Sequence, residues 1–377
     1  MLLKFKITEE FQFNDWAEVN VRKMRWDQIP YDPTDNHNKF FFFRYVKIDN
    51  RHKSDEPRFF PLFLRNYNFY EQTLAYQQYV YDHKDLFTNK KLIAVVMDPL
   101  EGVADTTSVV EELAKNLKDI CTVYLITGNN MLSLGSHSFK FYPTNHWIHH
   151  LKDTPVTKSV LSEDHKIYIS LNRMAREHRV ILTNKLIKNQ LRDCGYITWA
   201  NGRNHKHIDY TDNYPEIKNT KFDILDVPDI LTQNPTMSVP IDYCNKSFLF
   251  LVTETHFATD TLFISEKTFK PIVLKMPFIS LGNPGTLRLL KTLGFKTFDK
   301  WINESYDFDL PLEKRCDIVV SEIARLSKMT NQERMSIRNE MSDILEHNFN
   351  VLQQQMKHSD LVESLMDIGK QIYTDRK

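Results

Sequence analysis

The sequence predicts an α/β protein with two Rossmann-like domains that face each other across a cleft, followed by helices that close the C-terminal end. Three observations predict this class. Apolar runs alternate with helical patterns, as they do in βαβ units. The alternation stops in the polar stretch 153–165 and then starts again. The chain has 377 residues, of which 41% are hydrophobic, and this is enough for two domains of ordinary size.

The first section of strands and helices follows an aromatic N-terminal region. Over residues 1–90 we expect short strands with intervening turns and then a helix near 68–82. Residues 91–98, KLIAVVMD, form a continuous apolar run that ends in an acid, which is typical of a buried parallel strand. A helical pattern over 106–119 and a second apolar run over 120–127 complete a βαβ unit.

The second section repeats this order over longer stretches. Strands are predicted at 166–171, 247–253 and 277–282. Each strand is followed by a predicted helix, and these helices are at 173–193, 265–275 and 284–294. Three closing helices are predicted at 316–327, 331–348 and about 350–372. We therefore place the first domain at 1–157, the second at 158–348, and at 349–377 a C-terminal helix that can pack back on the first domain.

Composition argues against several classes of protein. Lys+Arg 49 balance Asp+Glu 49, which disfavours a chain held to nucleic acid or membrane by its whole surface. Nine glycines are about a third of the usual frequency, and neither common Gly-rich phosphate loop occurs. No apolar run suits a signal peptide or a membrane span, and the four cysteines form no C-x-x-C pair. We expect a cytoplasmic protein with free thiols that binds any nucleotide by another route.

Three arginines follow the strand predicted at 166–171. Arg173, Arg176 and Arg179 recur at every third residue, in the first two turns of the predicted helix. Free backbone N–H groups at a helix start attract anions, and guanidinium groups add paired hydrogen bonds to phosphate. The window 165–207 contains nine Lys/Arg and two acids. The pattern favours a phosphate site, and a solvated helix face is the alternative.

A second group of charged residues lies within 250–272. Glu254 ends a predicted strand, and Ser265, Glu266 and Lys267 begin a predicted helix. An acid at the end of a buried strand points into the crevice where open α/β sheets bind ligands. Glu266 suits a ribose diol and Lys267 suits a phosphate. An N-cap with surface ion pairs is the alternative, and it explains the group less completely.

These residues together resemble the fucosyltransferase-type glycosyltransferases and their viral and bacterial relatives. The resemblance covers about residues 166–300, and its most specific part is the run SEKTFKPI at 265–272. It implies the GT-B architecture, with the nucleotide-sugar in the second domain, and an inverting reaction that needs no metal. The matching residues are Asn172, Arg176, Arg179, Glu254, Phe263, Ile264, Ser265, Glu266, Lys267, Pro277 and Gly282.

The resemblance implies that the second domain binds a nucleotide-sugar donor and that the enzyme has no further cofactor. Arg179 would grip the diphosphate, with Arg176 as the second choice, and Lys267 would lie against a phosphate. The two glutamates would hold sugar or ribose hydroxyls. Phe263 stands where the family commonly has tyrosine, so a UDP-linked and a GDP-linked donor both stay open. The donor-binding candidates are Arg176, Arg179, Glu254, Ser265, Glu266, Lys267 and Lys270.

Displacement at an anomeric carbon also needs a base for the acceptor hydroxyl. Asp98 ends a predicted strand of the first domain and Glu101 follows it, in MDPLEG, so both could face the cleft. We prefer Glu101, since Asp98 also suits a cap on the following turn. His146, His149 and His150 are spaced for a metal, but no Cys or acid accompanies them, so a packing role is favoured.

The acceptor has two candidates. The segment 294–307, GFKTFDKWINESYD, resembles phage-encoded proteins, and the basic window 165–207 suits DNA. A hydroxymethylated pyrimidine in phage DNA, modified in the host cytoplasm, is therefore favoured over a glycan or lipopolysaccharide sugar. A non-catalytic nucleotide- or nucleic-acid-binding protein would explain the arginines but not Glu254 together with residues 265–267.

Overall fold

The described residues form an α/β structure with two parallel four-stranded sheets, consistent with a Rossmann-like fold, and this confirms the α/β part of the predicted fold class. The structure is a computed structural model. Within the part of the chain that it describes, no helix is long and apolar enough to cross a membrane. The described residues are 58–64, 69–89, 92–98, 104–131, 136–151, 158–172, 175–199, 214–218, 220–222, 239–258, 260–357, 364, 367 and 368.

The first sheet has its strands in sequence order, β1-β2-β3-β4, and each neighbouring pair is parallel. The strands are β1 (Arg58–Phe63), β2 (Leu92–Asp98), β3 (Val123–Thr127) and β4 (Lys140–Pro143). The helices are α1 (Phe69–Asp82), α2 (Lys84–Thr88) and α3 (Ala104–Leu117). The βαβ unit predicted from residue 91 onward is confirmed, as is the helix near 68–82.

Both faces of β2 are buried, which explains its continuous apolar sequence. Ala94 and Val96 lie in a core with residues of α1 and α3, whereas Ile93, Val95 and Met97 point to the opposite face. Side chains of a strand alternate between faces, so only an apolar run satisfies both environments. Ile368 is fully buried in the cluster on that opposite face. The C-terminal part of the chain thus contacts the first sheet.

The second sheet has the order β6-β5-β7-β8, again with parallel pairs only. Its strands are β5 (Lys166–Asn172), β6 (Gly195–Trp199), β7 (Ser247–Thr253) and β8 (Phe278–Leu281). The chain leaves β5 toward β6 on one side and then builds β7 and β8 on the other. The strand order therefore reverses between β5 and β7, and open α/β sheets bind ligands outside the carboxyl ends at such a point. The described strands of the first sheet have no such reversal.

Helices of very different length accompany the second sheet. They are α4 (Glu177–Lys188), α5 (Pro215–Lys218), α6 (Ile241–Asn245), α7 (Glu266–Val273), α8 (Thr286–Thr292), α9 (Leu312–Ser327), α10 (Asn331–Glu340) and α11 (Ser342–Gln355). Buried arginines tie the C-terminal helices to the sheet. Arg315 of α9 donates to the carbonyl of Gly282 at 2.7 Å, and Arg338 of α10 donates to that of Phe248 at 2.7 Å.

Three of the predicted helices have the wrong bounds. The helix predicted at 173–193 begins only after Arg176, whose backbone is extended, and ends where Gln190 adopts a positive φ of 58°. The N–H of Leu191 then bonds back to the carbonyl of Leu186, which closes the helix in a Schellman-type cap. The helix predicted at 331–348 is two helices that meet at Met341. The helix predicted at 350–372 begins inside α11, which ends at Gln355.

Asp307 caps the start of α8, and its ionisation opposes stability. The carboxylate accepts from the N–H of Leu287 at 3.1 Å, yet burial raises its pKa to about 6. An acid whose pKa is higher in the folded state than in the unfolded state stabilises the fold most when it is protonated. This contribution is fully present at low pH, and it is lost as the pH rises through the folded-state pKa. Asp307→Asn keeps an acceptor oxygen without the charge. We expect its stability relative to that of the wild-type protein to rise by about 1 kcal/mol between pH 5 and pH 8.

Urea unfolding of Asp307→Asn and of the wild-type protein at pH 5 and pH 8 measures this effect. The advantage of the asparagine variant should be about 1 kcal/mol smaller at pH 5 than at pH 8. Equal stability of the two proteins at both pH values would show that the ionised carboxylate is not penalised at this position.

Candidate functional site

The donor-binding candidates meet at the carboxyl edge of the second sheet, where the strand order reverses between β5 and β7; we call this position the β5/β7 crevice. Arg176 and Arg179 lie at the start of α4, which follows β5. Glu254 directly follows β7, and residues 265–267 form the start of α7. Elements that are far apart in sequence therefore bring these side chains to the point where the strand order reverses.

The Glu254 carboxylate is fully buried, and both of its oxygens accept hydrogen bonds from the protein. Oε1 accepts from Thr268 Oγ1 at 2.6 Å and from the N–H of Ser265 at 3.2 Å. Oε2 accepts from Ser265 Oγ at 2.5 Å and from the N–H of Thr255 at 3.1 Å. Glu254 therefore fastens the start of α7 to the end of β7. A sugar hydroxyl bound to this carboxylate would have to compete with these four bonds.

Gly282, the last residue of the family-like pattern, makes this packing possible. A Cβ atom at Gly282 would lie 3.0 Å from both Cβ and Cγ of Glu254 and 3.1 Å from Oγ1 of Thr286. Contacts this short would force the glutamate or the β8 backbone to move. Glycine is thus favoured directly after β8 because the buried glutamate occupies the adjoining space.

Lys267 is the partly exposed cation at the start of α7. Its Nζ donates to Glu266 Oε1 at 2.9 Å, to Thr255 Oγ1 at 3.0 Å and to Ser265 Oγ at 3.3 Å. The side chain of Lys267 is 27% exposed, whereas that of Glu266 is 4% exposed. The hydroxyl of Ser265 also caps α7 by accepting from the N–H of Lys267. A ligand at this helix start can therefore reach the lysine more readily than the glutamate.

The two arginines differ in their access. Arg176 is half-buried, and its Nη1 donates to the carbonyl of Thr255 at 2.6 Å. Arg179 is buried, and its Nη2 donates to the carbonyls of Thr253 and Glu254 at 3.1 and 3.0 Å. Burial, together with the neighbouring Arg176, lowers the pKa of Arg179 to about 10. Arg179 therefore braces the end of β7, and Arg176 is the arginine closer to solvent.

This difference predicts the effect of removing each arginine. Arg179→Ala should lower the free energy of unfolding by about 2–3 kcal/mol, since hydrogen bonds from a charged donor to two buried carbonyls are lost. Arg176→Ala, the matched control, removes one bond from a half-buried side chain and should cost about 1 kcal/mol. Urea unfolding of both variants measures the difference. Equal losses in the two variants would contradict the bracing role of Arg179.

Lys270 and His178 are buried beside this group. Burial lowers the pKa of Lys270 to about 8, and the Glu266 carboxylate one turn earlier opposes that shift. His178 is fully buried, and its Nε2 donates to the carbonyl of Glu254 at 2.9 Å. Burial, with Arg179 beside it, holds the pKa of His178 well below its usual range. The sequence pattern did not single out His178, which packs against Phe257.

Asp98 lies at the carboxyl edge of the first sheet, at the end of β2, and is 3% exposed. The same edge contacts the loop that leads into α7. The N–H of Asn130 donates to the carbonyl of Leu262 at 2.8 Å, and the N–H of Leu262 donates to Asn129 Oδ1 at 3.1 Å. Asn129 and Asn130 follow β3, which pairs with β2. Asp98 therefore lies at the same sheet edge as the two asparagines that bond to Leu262.

Several predicted residues fall outside the described part of the chain. Glu101, the preferred base, and Arg173 are among them. The side chains of His146, His149 and His150 are likewise outside it, although their backbone forms a 3-10 turn (His146–Leu151) that contacts α7. Among the residues that are described, no group of three His, Cys, Asp or Glu is arranged to hold a metal ion.

The described cations of the basic window 165–207 already contact protein groups. Lys185 pairs with Glu313 and Asp317, and Lys188 pairs with Glu216. Lys166 and Arg192 donate to backbone carbonyls, as do Arg176 and Arg179. The described lysines and arginines of this window therefore bind carboxylates and carbonyls of the protein, and they do not form a separate basic patch for DNA phosphates.

The arrangement can bind an anion and hold it beside a carboxylate. Lys267 and Arg176 both contact Thr255, one through the hydroxyl and the other through the carbonyl. Two cations converging at a helix start, in the crevice of an open α/β sheet, suit a phosphorylated ligand. No protein-family model matches this chain, and no curated protein matches it either.

Proposed function

We propose that the chain is an inverting glycosyltransferase of the GT-B type, which moves a sugar from a UDP- or GDP-linked donor to an acceptor hydroxyl. The observation that carries the proposal is the convergence of Arg176 and Lys267 on Thr255, at the β5/β7 crevice. The resemblance of residues 265–272 to the fucosyltransferase-type enzymes supplies the reaction class. In this proposal the two sheets belong to the two Rossmann-like domains that form the cleft.

The donor diphosphate lies at the starts of α4 and α7. Arg176 and Lys267 neutralise the negative charge that develops on the diphosphate as the bond to the sugar breaks. These side chains supply that charge in the proposal, which requires no metal. Glu266, next to Lys267, accepts from a ribose or sugar hydroxyl, whereas Glu254 and Arg179 act by holding the surrounding backbone in place.

The acceptor is activated from the first sheet. A carboxylate takes the proton of the acceptor hydroxyl, and the candidates are Glu101, three residues after β2 in the sequence, in first place and Asp98, at the end of β2, in second. The oxygen then attacks the anomeric carbon from the face opposite the diphosphate, and the nucleoside diphosphate leaves. A single displacement of this kind inverts the configuration at the anomeric carbon.

A transfer assay tests the proposal and separates the acceptors. UDP- and GDP-sugars with a labelled sugar are incubated with the protein in EDTA, together with hydroxymethylated DNA, unmodified DNA or lipopolysaccharide. Transfer of label to one of the acceptors is the expected result, and label in hydroxymethylated DNA alone would assign the DNA acceptor. Label in the lipopolysaccharide alone would assign the glycan acceptor. Tight binding of the nucleotide-sugar without transfer to any acceptor would favour a non-catalytic binding protein.

A further inference from the structure

Two aromatic rings lie together at the carboxyl end of β6. Trp199, the last residue of the strand, stacks on Phe222 with ring centroids 5.5 Å apart and planes inclined by 23°. Both side chains are half-buried. Arg192 also contacts Phe222, since its guanidinium lies 6.0 Å from the ring centroid and donates to the carbonyl of Lys221 at 2.9 Å. The pair therefore forms a preformed aromatic surface that solvent can reach.

This aromatic surface lies one strand outward from the β5/β7 crevice. Trp199 is the Cα partner of Asn172, the last residue of β5, and Thr198 Oγ1 accepts from the N–H of Asn172 at 2.9 Å. Neighbouring strands are about 4.8 Å apart. A nucleoside attached to a diphosphate at the start of α4 is long enough to extend across that spacing. The base of such a ligand would then lie over the end of β6.

We infer that Trp199, backed by Phe222, is the surface on which the base of the donor nucleotide stacks. The inference rests on the proposed function, since it extends the diphosphate site to the nucleoside. Stacking on an aromatic ring stabilises any base, because each base has a π face. Trp199 therefore contributes affinity to UDP-linked and GDP-linked donors alike, and discrimination between them must come from other contacts.

Calorimetric titration of the full chain with UDP, GDP and inorganic pyrophosphate tests this assignment. Trp199→Ala should weaken binding of both nucleoside diphosphates about tenfold to a hundredfold, as loss of base–aromatic stacking does elsewhere. Its affinity for pyrophosphate should stay at the wild-type value. Trp199→Phe should retain most of the affinity. Trp301→Ala is the matched control and should leave both affinities unchanged, because Trp301 bonds to Glu340 of α10, a helix whose Arg338 contacts the opposite, amino end of β7.

Three results would overturn the assignment. Unchanged nucleoside diphosphate affinity in Trp199→Ala would remove the stacking role. An equal loss of pyrophosphate affinity would show that Trp199 only holds the sheet edge in place. A wild-type protein that binds pyrophosphate as tightly as UDP and GDP would have no base subsite. Failure to bind any of the three ligands would instead overturn the proposed function itself.

Discussion

Lys267→Ala is expected to weaken binding of the nucleotide-sugar donor about tenfold to a hundredfold. A hydrogen bond from a charged group contributes about 1.5–3 kcal/mol, and each 1.4 kcal/mol is a factor of ten in affinity. Lys267 is partly exposed at the start of α7, so its ammonium can move from Glu266 and Thr255 to a phosphate. Isothermal titration with UDP- and GDP-sugars measures the change.

The control for Lys267→Ala is Lys328→Ala, which removes the same charge from the opposite edge of the sheet. Lys328 is exposed and follows the last residue of α9. The next residue, Met329, accepts a hydrogen bond from Arg334, which also donates to His165. Because His165 directly precedes β5, Lys328 lies near the amino ends of the strands. The control should bind the donor as the wild-type protein does. Equal donor affinity in Lys267→Ala and Lys328→Ala would contradict the phosphate role of Lys267.

Glu101→Gln is expected to lower the rate of sugar transfer about 100-fold to 10,000-fold, because an amide cannot take the proton of the acceptor hydroxyl. Donor affinity should not change, since the donor lies at the second sheet in the proposed site. Initial rates of transfer and calorimetric donor titration, made on the same preparation, separate the two quantities.

Asp98→Asn distinguishes Asp98 from Glu101 as the base. Glu101 acts as the base if its variant alone loses transfer, and Asp98 does so if only Asp98→Asn loses transfer while the protein still binds the donor. Asp98 is buried, so its variant also needs an unfolding measurement to show that the fold persists. Normal transfer by both variants would exclude both acids as the base.

The strands that the sequence predicts well are those buried on both faces. In β2 and β7, every described side chain is buried, so the sequence is an uninterrupted apolar run. The five-residue strand β6 is half-buried at the sheet edge, and its sequence, GYITW, mixes polar and aromatic residues. Such a segment has no clear period, which is why β6 is absent from the sequence-based prediction.

The candidate site shows a similar division between what spacing predicts and what only packing determines. Spacing predicts that Arg176, Glu254 and residues 265–267 lie at strand ends and helix starts. It does not predict that Thr268 and Ser265 bond both oxygens of Glu254, because those two partners come from the start of α7, a separate element. In the same way, spacing alone gives Arg176 and Arg179 similar access to solvent, whereas packing buries only Arg179.

The measurement that tests the central claim most directly is the thermal unfolding of the wild-type protein with UDP-, GDP- and TDP-sugars in EDTA. A ligand that binds only the folded state adds about 2.7 kcal/mol of stability at one hundred times its Kd. We predict that one class of nucleotide-sugar raises the unfolding temperature by several degrees, and that Lys267→Ala loses this shift. An unchanged unfolding temperature with every nucleotide-sugar at millimolar concentration would contradict a donor site at the β5/β7 crevice.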